Sequence, residues 1–150
     1  MPNVSGLKEK FAELPETIET ALKDQIEKEA GKIVAFMRAL LMAQPYDIKD
    51  KIEIDWTWGD VPEGAVTVAE YRGKERLELV AKIYARGKQG SGIAAQWFEF
   101  GTKRRSTKLG RDRGSISASP FFFPAYRAEK SRANNNIRAA LRRAIKKLNS

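Results

Sequence analysis

Gln96-Trp97-Phe98-Glu99-Phe100-Gly101-Thr102 opens a stretch that closes on Ser119-Pro120-Phe121-Phe122-Phe123-Pro124-Ala125-Tyr126-Arg127. Between these apolar clusters lies a polar run of Lys, Arg, Gly and Ser. Large aromatic side chains bury the most area per residue. The two clusters are therefore expected to dock on a core as anchors, with Trp97 and Phe121 buried, while residues 103–118 stay in water as a mobile basic loop. Ile93 to Phe100 reads as a short helix with Ser91 as its N-cap and Gly101 just past its end. Gly101 suits a left-handed or closely packed backbone position. Glu99 sits among aromatics, where an unpaired charge is costly. Two expectations stand for it: a pairing with an arginine of the loop or last helix, or an outward-facing side chain.

Upstream, Leu7, Phe11 and Leu14 mark a short amphipathic stretch over 5–14 that Pro15 interrupts. From Glu16 onward, Ile18, Leu22, Ile26, Ala30, Ile33, Met37 and Leu41 recur at three- and four-residue steps. That spacing predicts one long helix with a single apolar face, ended at Gln44-Pro45. Lys51 to Trp58 alternates, with Ile52, Ile54, Trp56 and Trp58 on one side, as a half-buried strand does. Val66 to Tyr71 and Leu77 to Ala85 read as two further strands, and short links suggest an antiparallel meander. A last helix is expected from Ala125 to about Leu148, with Ile137, Leu141, Ile145 and Leu148 on one face. The fold class is thus α+β: a long N-terminal helix and a C-terminal helix packed on a small antiparallel β-sheet, with a long basic loop. The 150 residues suit a single domain.

Composition narrows the chemistry. There is no cysteine, which removes disulfides and thiolate catalysis, and no histidine, which removes the commonest base near neutral pH and the commonest metal ligand. Glu53 and Asp55 share the outer face of a strand, where acids are solvated. Glu78 and Lys82 match no nuclease constellation. Gly87 to Gly92 lacks the residue order of a phosphate-binding loop. No catalytic residue, cofactor site or metal site is therefore expected. No apolar run reaches the roughly 18 residues of a membrane span, and the first residues do not read as a secretory signal. The net charge of +9 is uneven: residues 103–150 carry fourteen Lys/Arg against two acids, residues 1–102 fourteen against seventeen. Such polarity favours acidic partners, nucleic acid, or head-to-tail stacking of like copies.

The Glu99-Phe100-Gly101-Thr102 element, the basic loop, and the Pro120-Phe121-Phe122-Phe123-Pro124-Ala125 element before a final helix together resemble the head–tail joining, or tail-completion, proteins of long-tailed bacteriophages and prophages. The likeness is best over 92–128. It implies a virion structural protein without catalytic activity, assembled in the bacterial host cytoplasm. Its partners would be other connector and tail proteins, and it would form a homo-oligomeric, hexameric ring. Two sets of residues carry over. Lys103, Arg104, Arg105, Lys108, Arg111 and Arg113 are the partner-binding loop. Trp97, Glu99, Phe100, Gly101, Thr102, Pro120, Phe121 and Pro124 are the structural motif. A second reading, from a different class, is a sequence-independent nucleic-acid-binding module that neutralises phosphates with the basic loop and C-terminal helix. The loop lacks interleaved aromatics for base stacking. Non-specific DNA contact is compatible with the joining reading as well.

Overall fold

The computed structural model describes residues 16–68 and 80–150. The amphipathic stretch over 5–14, the end (69–71) of the strand expected over 66–71 and the start (77–79) of the third strand lie outside these residues. The first element is helix α1 (Glu16–Met42), which buries Ile18, Leu22, Ala30, Ile33, Met37 and Leu41 of the expected face together with Val34, while Ile26 is only half-buried. Strand β1 (Ile52–Thr57) follows, with Ile52 and Ile54 buried. Trp56 and Trp58, on the same side, meet edge to face at 5.6 Å. Next come β2 (Val66–Thr67), β3 (Lys82–Gly87), the short helix α2 (Ala95–Phe100), β4 (Arg105–Ser106), β5 (Asp112–Gly114) and helix α3 (Phe123–Leu148).

The three-stranded sheet has the order β1-β3-β2, so the third strand is central and the expected meander is not formed. Both pairings are antiparallel, with Ile52 opposite Gly87, Thr57 opposite Lys82, and Val66 opposite Ala85. The reason is visible in β3: Ile83, Tyr84 and Ala85 are all buried in succession, the mark of a strand covered on both faces. A Cβ on Gly87 would lie 1.5 Å from the Ile93 carbonyl oxygen, so only glycine lets the chain return there.

Helix α1 packs on β1 and runs along α3. The Arg38 guanidinium donates to the Ile54 carbonyl at 2.7 Å, which pins helix to sheet. The buried face of α3 is not the expected one. Ala125, Ala133, Ala140 and Ala144 are buried, Ile137 and Leu141 only partly so, and Ile145 and Leu148 are exposed. Small side chains let two helices approach closely, so the alanines face α1 and the larger residues flank the contact. Ala144 meets Ile18 and Leu22, which sets the end of α3 against the start of α1.

One polar node lies inside this helix pair. Glu29 is 1% exposed. Its Oε1 accepts hydrogen bonds from Gln25 Nε2 at 2.8 Å and from Asn136 Nδ2 at 2.9 Å, and faces Lys32 Nζ at 3.5 Å. Its Oε2 is buried without a hydrogen-bond partner among the described residues. Asn136 thus links the two long helices, where the run Asn134-Asn135-Asn136 by itself only weakens a helix.

Candidate functional site

The site grows from the six residues of α2. Ala95, Phe98 and Glu99 are buried together, because positions i, i+3 and i+4 share one helical face. Phe100 then falls on the opposite side and is 64% exposed, and the buried aromatic of this helix is Phe98 rather than the expected Trp97. Phe98 meets Tyr46 edge to face at 5.3 Å. Trp97 is half-buried rather than buried, and Arg105 covers its ring with the guanidinium carbon 4.6 Å from the centroid. Ser91 does not cap the helix: Ala94 holds the N-cap position without a side-chain bond, and Ser91 Oγ accepts the Ile93 N–H one turn earlier.

Glu99 is 4% exposed and neither pairs with an arginine nor faces outward. Its Oε2 accepts the backbone N–H groups of Phe121 and Phe122, and its Oε1 that of Phe123, each at 2.9 Å. These donors open helix α3, whose own N-cap, Phe122, makes no side-chain cap and whose first turn holds no acid. The free N–H groups and positive end of a helix favour a carboxylate. Glu99 supplies it from another element. Pro124 stands at the first helical positions, where a missing N–H costs nothing. Phe121 and Phe122 beside it are completely buried, while Pro120 is exposed. Phe123 touches Phe100 at 5.7 Å between ring centroids.

The loop departs from the same place. Gly101 has φ of +75°, and a Cβ there would lie 2.9 Å from both Ala118 N and the Ile116 oxygen. Both properties expected of this glycine are therefore present. Thr102 N–H donates to the Ile116 carbonyl at 2.8 Å, and Ile116 N–H to Thr102 Oγ1 at 2.9 Å. Ser119 N–H donates to the Phe98 carbonyl at 2.7 Å, and Tyr46 hydroxyl to the Ser117 carbonyl at 3.3 Å. Ser119 Oγ also contacts Gln44 Oε1. The neck of the loop is thus closed by backbone bonds.

Above the neck, the segment expected to be an irregular loop forms a small antiparallel hairpin, with Arg105 opposite Gly114. Thr107 and Arg111 close its tip: Thr107 N–H donates to the Arg111 carbonyl at 2.8 Å, and Arg111 N–H to Thr107 Oγ1 at 3.0 Å. Leu109 projects there, 88% exposed. Arg104 holds Asp112, with Nε 2.8 Å from Oδ2. This hydrogen bond, aided by the Gly114 N–H, lowers the Asp112 pKa, and Asp112 in turn raises that of Arg104.

The six cations of the expected partner-binding loop therefore divide. Arg104 and Arg105 are engaged within the protein. Lys103, Lys108 and Arg111 are exposed, and none has an ion pair among the described residues. Arg113 lies in β5. The acids Glu53 and Asp55 do not form a cluster: Glu53 pairs with Arg86 at 2.6 Å, and Asp55 accepts the Trp56 N–H. Among the described residues there is no group of three acids placed to hold a metal ion, and no helix is long and apolar enough to cross a membrane. No family model, curated protein or solved structure matches this chain.

Proposed function

We propose that this chain is a non-enzymatic structural protein of a bacteriophage particle, which completes the tail or joins it to the head connector. It acts in a homo-oligomeric ring, a hexamer by the symmetry of such tails, and the basic hairpin makes the contact. The observation that carries the reading is the Glu99 clamp. The two sequence elements that resemble the joining proteins meet in space, because the carboxylate of one caps the helix that starts in the other. Their joint effect is to hold a hairpin at its neck and leave its cationic tip in solvent. A tip of this kind suits docking against acidic neighbours. The nucleic-acid reading has less support, since Arg105 lies over one face of Trp97 and hinders base stacking there.

The test is electron microscopy of particles made without this protein. Separate heads and tails are the expected result. Fully joined, infectious particles would overturn the proposal. Binding to duplex DNA that falls steeply with salt, together with intact particles, would favour the nucleic-acid module.

A further inference from the structure

A groove of about 490 Å³ runs between the first turns of α1 and the last turns of α3, away from the hairpin. Ile18, Ala21, Ala140 and Ala144 line it. The α3 edge is cationic, formed by Arg143 and Lys147, while the α1 edge is neutral, formed by Thr17 and Gln25. Arg138, Arg142, Arg143, Lys146 and Lys147 make no ion pair among the described residues, and no acid follows Glu129 in the sequence.

We propose that this groove docks an acidic amphipathic helix of a partner protein. The floor and the rim each specify part of the ligand. Alanines at the contact let a third helix approach two others closely. The groove runs along α1 from Thr17 to Gln25, about two helical turns. Anchors at i, i+3 or i+4, and i+7 of the partner match that length. Arg143 and Lys147 stand one turn apart on a single edge, so the partner helix carries its acids on the side toward α3. This asymmetry fixes the orientation of the guest. A polyanion such as nucleic acid fits the cations but leaves the apolar floor uncovered. The inference does not rest on the phage reading.

The probe is a synthetic helical peptide of about four turns with leucines at the anchor positions and glutamates along one edge. Its binding to the full-length protein is followed by fluorescence anisotropy. Saturable binding is expected, weakened at least about tenfold by Arg143→Glu with Lys147→Glu. Exchanging the peptide's glutamates for lysines should restore binding to that double variant. Ala21→Trp, which fills the floor, should also abolish binding while leaving the circular-dichroism melt in place. Absence of saturable binding would overturn the proposal, as would binding indifferent to the charge swap. A short DNA duplex that binds where the peptide does not would make the surface a polyanion site instead. A tenfold gain in peptide affinity on Leu7→Glu with Phe11→Glu would identify the chain's own N-terminal stretch as the occupant, and would overturn an external partner.

Discussion

The carboxylate of Glu99 accepts the backbone N–H of Phe121 at 2.9 Å, across 22 positions of chain, and both groups are buried. With the bonds to Phe122 and Phe123, it makes a side chain of one helix the cap of another. Glu99→Gln keeps the size but removes the charge and one acceptor oxygen. At least one N–H is then left buried without a partner. Hydrogen bonds to charged groups contribute about 1.5–3 kcal/mol, so a loss of about that size is expected in urea denaturation. An unchanged midpoint would mean that the cap does not hold α3.

Phe121 is fully buried and Lys108 is exposed. Phe121→Ala should cost about 3–5 kcal/mol through cavity formation, a large part of a small domain's stability. Lys108→Ala should leave the melting temperature within experimental error, since exposed charges contribute little to folding. Trp97→Ala should fall between the two, because that ring is only half-buried. If Phe121→Ala melts like the parent, the anchor role is wrong.

Asp112 provides a pH test. Its pKa is lowered by Arg104, first through their hydrogen bond. A carboxylate depressed in the folded state stabilises that state fully above its unfolded value, about 3.9, and the contribution is lost as pH falls through the lower folded value. The hairpin should therefore keep its Arg104–Asp112 contact at pH 5 and lose it only in stronger acid. A carboxyl-carbon NMR titration should place Asp112 below the fully solvated aspartates. Arg104→Ala should raise it toward the ordinary range, with the Gly114 N–H still holding it somewhat lower. A midpoint at or above that range in the parent protein would contradict the pairing.

Glu29 and Asn136 tie the two long helices together. Asn136→Ala removes a donor from a buried carboxylate and should destabilise by about 1–3 kcal/mol. Replacing both residues by leucine should cost much less, because the buried charge leaves with its partner. Equal losses for the single and double variants would show that the node does not act as a pair.

The long helix α1 was legible because seven apolar residues repeat at helical spacing over its whole length. β1 was equally clear from its alternation. Strand order was not, since period-two patterns do not say which strand is central. The exposed Phe100 and the buried Glu99 follow from helical spacing with Ala95 and Phe98, a signal present in the sequence but outweighed by residue type. The partner of Glu99 was hidden for a different reason. Backbone N–H groups carry no residue signature, so a helix N-terminus is invisible until the fold brings it close. The alanine face of α3 was missed because weakly apolar residues were outranked by Ile145 and Leu148, which the close helix approach leaves outside.

The most direct test uses the exposed hairpin cations in particle assembly. Arg104 and Arg105 are tied to Asp112 and Trp97, so reversing them disturbs the hairpin itself. The side chains of Lys103, Lys108 and Arg111 have no such internal partner among the described residues, Arg111 closing the tip through its backbone alone. The triple variant Lys103→Glu, Lys108→Glu, Arg111→Glu should melt like the parent. Negative-stain electron microscopy of particles carrying it should show separate heads and tails. Joined particles in parental yield would contradict a joining function exercised through this hairpin.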